Sequence, residues 1–327
     1  MQPFNFIRTT DTAAAVKQAG VKGVKYIAGG TNLVDLMKLD IEQPTTLIDI
    51  NRLKLKSVEV NPDGSIRIGA LMTNSDLAWH PEIQKRFPVL SEALLSGASP
   101  QLRNMATTGG NMLQRTRCYY FYDPAFSCNK RVPGSGCPAI TGYNRNHAIL
   151  GASDHCIATH PSDMCVALAA LDPHVSLEGP GGRRTIPFHQ LHRIPGATPH
   201  IENTLQKGEM ILGIQLPALS FGARSHYLKI RDRASYEFAL ASAAVALDIS
   251  GGTIRQARIA LGGVGTKPWR SPEAEAVLAG APASEDSYRK AAEAALQSAK
   301  PQQHNAFKIE LAKRTLVRAL TTAGGIA

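Results

Sequence analysis

The 327-residue chain reads as an α+β protein, a larger mixed region followed by a small region of sheet and helices. Three features carry that expectation. Strand-like apolar runs alternate with helical patterns over residues 1–52, turn-bounded strands recur in the middle of the chain, and a three-stranded meander followed by helices closes it.

In chain order, Phe4 to Ile7 is apolar, Thr12 to Gln18 has a helical pattern, and Lys25 to Ala28 reads as a strand. A short helix from Leu33 to Lys38 and a strand from Thr46 to Ile50 follow, which predicts a small unit with a mostly parallel sheet. Ser57 to Val60 and Ile66 to Ala70 flank the turn Asn61-Pro-Asp-Gly64 and predict an antiparallel hairpin. Helices are expected at Asn74 to Trp79, Phe87 to Leu95 and Ser162 to Leu171, with strands dominating from there to about Leu216. Tyr227 to Arg231, Ala241 to Ile249 and Thr253 to Gly262 form the meander, with a turn at Gly251-Gly252. Helices close the chain at Pro272 to Ala279, Ser284 to Leu296 and Ala306 to Leu320, where Ile309, Leu311, Leu316 and Leu320 read as core.

Bulk properties narrow the function classes. The length implies two or three domains, and 43% hydrophobic residues suit globular folding. No apolar stretch is long enough for a membrane span, and the N-terminus lacks the features of a secretory signal. The chain is therefore expected in the cytoplasm, or in the periplasm if a signal-bearing partner carries it there. A net charge of +10 invites a nucleic-acid reading, but the basic residues are spread along the chain without a recognised motif, so no nucleic acid is expected. An acidic protein partner or an anionic cofactor suits the charge better.

Two glycine turns carry the next step. Lys25-Tyr26-Ile27-Ala28-Gly29-Gly30-Thr31-Asn32-Leu33 places paired glycines and small polar residues between a strand and a helix. Such a turn lets backbone approach a ligand closely and presents free N–H groups to an anion, although many strand-to-helix turns carry glycine for steric reasons alone. Ala106-Thr107-Thr108-Gly109-Gly110-Asn111-Met112 repeats the pattern. Two such turns converging on one ligand would suit a dinucleotide with its pyrophosphate in the middle.

The five cysteines all fall between Cys118 and Cys165. Cys165 lies in the apolar run from Met164 to Leu171 and reads as an inert core residue. Cys118, Cys128, Cys137 and Cys156 lie in a loop-like stretch, with nine, eight and eighteen residues between them. Four thiolates suit zinc or an iron–sulfur cluster, but these gaps match neither a zinc ribbon nor a bacterial ferredoxin, and disulfides or unpaired thiols stay open. Pro133, Gly134 and Gly136 allow tight turns there, and Arg115, Arg117, Lys130 and Arg131 could offset a cluster's negative charge.

With these motifs in view the chain resembles the FAD-binding middle subunit of molybdenum hydroxylases of the xanthine oxidase type, nearly end to end. YIAGGTNLVDLMK (Tyr26 to Lys38) is similar to the family's first FAD turn, QLRNMATTGGNML (Gln101 to Leu113) to its second, and THPSDM (Thr159 to Met164) to its ribityl-proximal segment. The cysteine loop resembles the [4Fe-4S]-bearing insertion of three-subunit bacterial aldehyde oxidoreductases. The resemblance implies a two-subdomain FAD-binding domain of the vanillyl-alcohol-oxidase type over residues 1–222, divided near residue 52, with an iron–sulfur loop at 115–157. A C-terminal domain like that of carbon monoxide dehydrogenase flavoproteins would cover 223–327.

The resemblance also implies site roles. Backbone from Lys25 to Leu33 would wrap the pyrophosphate and adenosine side, with Thr31 and Asn32 donating to phosphate oxygens. Thr107, Gly110, Asn111, Leu113 and Gln114 would line the other side of the FAD, and Asp163 would accept from a ribityl hydroxyl. Lys229 would lie near the flavin ring and Leu212 would pack on flavin or adenine. Read without the resemblance, Asp163 is a helix N-terminal acid and Lys229 a solvated strand-edge charge. Cys118, Cys128, Cys137 and Cys156 would hold the [4Fe-4S] cluster. The implied partners are a large subunit with a molybdenum cofactor, a small [2Fe-2S] subunit and an external electron acceptor. The competing expectation is a zinc-stabilised scaffold subunit without catalysis.

Overall fold

The computed structural model describes residues 1–325. Its first unit comprises β1 (Asn5–Arg8), α1 (Thr12–Ala19), β2 (Val24–Ile27), α2 (Leu33–Lys38) and β3 (Thr46–Asp49). The three strands are parallel, in the order β1-β3-β2. Asp11 caps α1 by accepting from the Ala14 N–H at 2.6 Å, and Ala15, Val16 and Ala19 turn inward against Ile48 and Ile50. The alternation read from the sequence thus folds as a parallel unit.

The second unit begins with the hairpin β4 (Val58–Val60) and β5 (Ile66–Gly69), turned at Gly64 with φ +82°. Six helices follow: α3 (Asn74–Ala78), α4 (Pro81–Arg86), α5 (Pro88–Ser96), α6 (Pro100–Met105), α7 (Thr108–Met112) and α8 (Tyr119–Tyr122). Prolines at the first positions of α4, α5 and α6 set their starts, because a missing N–H costs nothing in a first turn. After the cysteine loop come α9 (Asp163–Leu171), β6 (His174–Gly179), β7 (Gly182–Pro187) and β8 (Met210–Leu216). These strands complete an antiparallel sheet of order β4-β5-β8-β6-β7.

Every residue of α9 is buried. A helix apolar all round needs neighbours on all sides, and α9 packs against α5, α7 and the C-terminal sheet. Its N-terminus carries Asp163, so the most buried helix aims a carboxylate at the space between the units.

The third unit contains the expected meander: β9 (Ser225–Ile230), β10 (Ala241–Ser250) and β11 (Thr253–Gly262). Gly251 and Gly252, both at positive φ, make the tight turn that pairs Ser250 with Thr253. A short strand, β12 (Trp269–Arg270), adds a fourth member to the sheet, in the order β12-β11-β10-β9. Helices α10 (Pro272–Leu278), α11 (Glu285–Leu296) and α12 (Phe307–Gly324) cover it and share a core with Val245, Leu247, Ile259 and Leu261. Among the described residues no helix is long and apolar enough to cross a membrane.

Lys308, at the start of α12, is fully buried and reaches out of the third unit. Its Nζ donates to the carbonyls of His147, at 3.0 Å, and Gly263, at 2.5 Å. Burial, helped by Arg145, lowers its pKa from 10.5 to about 7. Between those values the unfolded chain binds the proton that the folded chain has released, so this group makes stability rise with pH from about 7 to 10.5. Lys308→Met removes the dependence. Across pH 7.5–9.5 the wild type should gain on the variant by up to ~1.4 kcal/mol per pH unit in paired unfolding measurements. Parallel pH profiles would show that Lys308 keeps an ordinary pKa.

Candidate functional site

The first glycine turn leaves β2 at Ile27 and enters α2 at Leu33. Its two glycines answer different demands. A Cβ on Gly29 would sit 1.9 Å from the Met105 carbonyl oxygen, so only a residue without a side chain fits against the segment leading to the second turn. Gly30 has φ +72°, a conformation costly for residues with a Cβ. Among the described residues, no acceptor is bonded to the backbone N–H of Gly30, Thr31, Asn32 or Leu33. That row of donors is the local chemistry of an anion cradle.

The second turn is held by capping. Thr107 Oγ1 accepts from the Gly110 N–H at 3.2 Å, and Gly109 packs where a Cβ would meet Ala70 Cβ at 3.1 Å. Asn111 Oδ1 accepts from Ser162 Oγ at 2.5 Å and from Gln114 Nε2 at 3.0 Å. Ser162 in turn caps α9, accepting from the Cys165 N–H at 3.0 Å. A hydroxyl thus ties the second turn to the helix that carries Asp163.

Asp163 and Lys229 lie 66 residues apart in sequence and form one ion pair, Nζ to Oδ2 at 2.8 Å. The lysine side chain is 3% exposed, so its reading as a solvated strand-edge charge is corrected: β9 points it inward. Lys229 Nζ also donates to the Ser96 carbonyl at 3.1 Å, and Tyr227 donates its hydroxyl to Asp163 Oδ1 at 2.6 Å. Burial, followed by the charge of Asp163, raises the Tyr227 pKa well above its ordinary value and keeps it a donor.

These elements enclose a cleft of about 970 Å³. Lys25, Tyr26, Ile27, Ala28, Gly29, Gly30, Thr31, Asn32 and Leu33 all line it, as do Thr107, Gly110, Asn111, Leu113, Gln114, Asp163 and Lys229. Several of these side chains have partners in the protein. Lys25 pairs with Glu42 at 2.5 Å, and the Tyr26 hydroxyl donates to the Gly208 carbonyl at 2.8 Å. Asn32 accepts from the Arg115 N–H at 2.8 Å and donates to the Tyr122 hydroxyl at 3.3 Å, leaving its backbone N–H for the cleft.

Leu212 does not line the cleft. It packs into the core with Ile48 and Leu71 at an irregularity of β8, where Gly213 and Ile211 pair with successive residues of β6, while Met210 and Ile211 line the cleft. Three further residues that the sequence does not assign to the cleft line it, among them Arg117, expected beside the cysteines. Asn74 Oδ1 is buried on the cleft without a partner, Arg103 donates to the Gly97 carbonyl at 2.6 Å, and Arg117 stacks between Tyr122 and Phe238. Asn74 and Arg103 sit in helices of six residues or fewer, too short for periodicity to mark a face.

Beyond Arg115 the chain runs into the cysteine loop. Cys118, Cys128, Cys137 and Cys156 line one small cavity, and all five cysteines are free thiols. Burial pushes Cys118 up to about 12 and Cys156 up to about 11, so these thiols stay protonated unless a metal displaces the proton. The turns expected around them form: Gly134 and Gly136 have φ +83° and +104°. The basic residues are partly committed elsewhere. Arg115 bridges Glu42 at 2.8 Å and Glu202 at 2.6 Å, Lys130 meets Glu202 at 2.9 Å, and Arg131 donates to the carbonyls of Tyr120 and Phe121.

Cys165 is fully buried in the main core, yet its sulfur lies within 4.8 Å of ligand atoms of His160 and His192. His160 Nδ1 accepts the Ser162 N–H at 3.3 Å, which leaves Nε2 protonated, and His192 Nε2 meets the Met112 carbonyl at 2.8 Å. With those ring atoms committed, the trio offers a metal no complete ligand set.

A cradle of free backbone donors, a glycine pressed against the neighbouring backbone and a buried ion pair around one cleft suit a dinucleotide, and the family models that match are those of flavin-binding subunits. Residues 2–219 match the FAD binding domain in molybdopterin dehydrogenase, and residues 226–323 match the CO dehydrogenase flavoprotein C-terminal domain. The chain belongs to the FAD-binding medium subunits of the molybdenum hydroxylases. It is 51% identical over 326 residues to the FAD-binding subunit PaoB of an Escherichia coli aldehyde oxidoreductase, covering 99% of each chain. It is 28% identical over 327 residues to the carbon monoxide dehydrogenase medium chain of Hydrogenophaga pseudoflava, covering 98% of this chain and 96% of that one. A solved structure of carbon monoxide dehydrogenase from the same organism superposes with a TM-score of 0.77 at 28% identity, over 99% of this chain and 98% of that one.

The close approach at Gly29 yields a direct test. Gly29→Ala should express as a folded protein that loses most of its FAD, because the added methyl group must push the first turn away from Met105. Absorbance at flavin wavelengths against protein concentration measures it, with circular dichroism reporting the fold. Stoichiometric FAD in the folded variant would refute the assignment of this turn.

Proposed function

We propose that the chain is the FAD- and [4Fe-4S]-carrying electron-transfer subunit of a molybdenum-dependent aldehyde oxidoreductase. Its partners in this reading are a large subunit with the molybdenum cofactor and a small [2Fe-2S] subunit, and its product is electron delivery to an external acceptor. The chain divides for this task near residues 222 and 223, the position suggested by the change from mixed sheet to meander.

The observation that carries the cluster is the spacing of the thiols. A single tetrahedral zinc ion, with Zn–S bonds of about 2.3 Å, needs its sulfurs ~3.8 Å apart. Four cysteines line one cavity here, yet among the described residues no three of their sulfurs lie within 4.8 Å of one another. A multi-iron cluster occupies the space between its ligands and so accepts a wider ring of sulfurs. The zinc-scaffold reading needs the tighter one.

FAD, when bound, supplies acceptance of electrons one at a time and their release singly or in pairs. The chain's own residues bind and orient. Free N–H groups from Gly30 to Leu33 would hold the pyrophosphate, while Lys229, fixed by Asp163 and the Ser96 carbonyl, places a positive charge at the cleft. Cys118, Cys128, Cys137 and Cys156 would supply four thiolates. Among the described residues, His160 and His192 are buried and tied to backbone, which leaves neither free for aldehyde chemistry. Burial holds His160 well below its usual value and His192 down near 4, so neither is a general base poised at neutral pH.

Two outcomes check the proposal. Replacing any one of the four loop cysteines by serine should alter or abolish the reduced protein's EPR signal and lower its iron content, whereas Cys165→Ala should keep both. Equal iron loss from Cys165→Ala would overturn the ligand set. The purified single chain should also fail to reduce its flavin with an aldehyde, and should do so only when the molybdenum and [2Fe-2S] subunits are added back. Aldehyde turnover by the single chain would point to a self-sufficient flavoenzyme.

A further inference from the structure

The four loop cysteines do not have equal surroundings. Cys156 Sγ receives a backbone N–H, from Ala158 at 3.5 Å. Cys118 Sγ lies 3.1 Å from His147 Nε2, and among the described residues this is the sole side-chain hydrogen bond to any of the four sulfurs. The ring is placed from outside the loop. His147 N–H donates to the Asn144 carbonyl at 3.0 Å, and the His147 carbonyl accepts from Lys308 Nζ at 3.0 Å and from Asn305 Nδ2 at 3.2 Å. Asn305 and Lys308 are both fully buried, so the C-terminal unit fixes the backbone that aims the imidazole.

The other ring nitrogen supplies the second observation. His147 Nδ1 is buried without a hydrogen-bond partner. A buried N–H left unpaired is costly, whereas a nitrogen lone pair there is the milder loss. Both ends of the ring therefore place the proton on Nε2, facing the sulfur. A cysteine sulfur bonded to iron carries no proton and can only accept.

We infer that His147 is a positioning and tuning residue for the cluster, its Nε2–H donating to the Cys118 sulfur and raising the cluster's reduction potential. The inference rests on the [4Fe-4S] reading given above. The physical reason is charge: reduction adds an electron to the cluster and makes its ligand sulfurs more basic, so a hydrogen bond to sulfur strengthens on reduction and favours the reduced state. The orientation depends on Lys308 and Asn305, which makes the C-terminal unit a participant in the cluster's redox poise.

The test compares wild type, His147→Phe and His147→Gln in the assembled complex, by EPR-monitored redox titration with iron quantitation. His147→Phe should keep its iron and lose about tenfold in the cluster's reduction equilibrium, a fall of about 59 mV for one electron. His147→Gln, which restores an amide donor, should fall in between, and the flavin potential should not move. An iron-replete His147→Phe with an unchanged cluster potential would overturn the inference while leaving the cluster reading intact. A wild-type complex whose medium subunit holds zinc or no metal would overturn the cluster reading and this inference with it. If the Phe variant loses iron, ¹⁵N-histidine labelling of the wild type decides. A nitrogen hyperfine coupling to the reduced cluster that vanishes in His147→Gln supports the bond, and its absence in the wild type refutes it.

Discussion

The junction between the two glycine turns governs the site. Gly29 approaches the Met105 carbonyl so closely that no side chain fits, and Asn32, three residues on, takes the Arg115 N–H and the Tyr122 hydroxyl with its single amide. Through these bonds the first turn of the parallel unit is fastened to the end of the second turn and to the start of the cysteine loop. A row of free N–H donors is useful only if it faces a fixed partner surface, and this junction fixes it.

Electrostatics reinforces the same region. Lys25, Glu42, Arg115, Glu202 and Lys130 form an alternating chain of charges that runs from the first turn, across the beginning of the cysteine loop, to its second cysteine. Each internal member has an opposite charge on both sides, which is how a partly buried chain of ions avoids leaving one uncompensated. The opposing effects are visible at Arg115: burial lowers its pKa, and the two glutamates more than offset that and raise it. Glu202 is held below its usual value by Lys130 and Arg115 against burial of its own. With three cations to two anions the chain keeps one net positive charge, shared along its length.

Much of this architecture was legible in the sequence, for reasons that differ between elements. The parallel unit and the C-terminal meander announce themselves through apolar runs bounded by glycine, and both glycine turns could be located because glycine at a strand-to-helix junction reports backbone demands directly. The confinement of cysteines to one stretch marked their common cavity. What stayed hidden depends on long-range pairing or on short elements. The Asp163–Lys229 pair joins residues 66 positions apart, and no local pattern distinguishes a buried lysine on β9 from a solvated one. Helices α6 and α7 are too short to show a period, and β12, with two residues, is defined only by its neighbour β11. Leu212 sits at a register irregularity of β8, which no local pattern in the sequence marks.

The anchorage of His147 by Lys308 has a consequence for biosynthesis. The two residues are 161 positions apart, so the backbone that carries the imidazole beside Cys118 is secured by a residue that leaves the ribosome long after the cysteines do. At roughly 5–20 residues per second the delay is about 8–30 s. Throughout that interval the loop exists with its thiols already made and its final support not yet present. The backbone around His147 therefore gains its full set of anchors only after the start of α12 has been made.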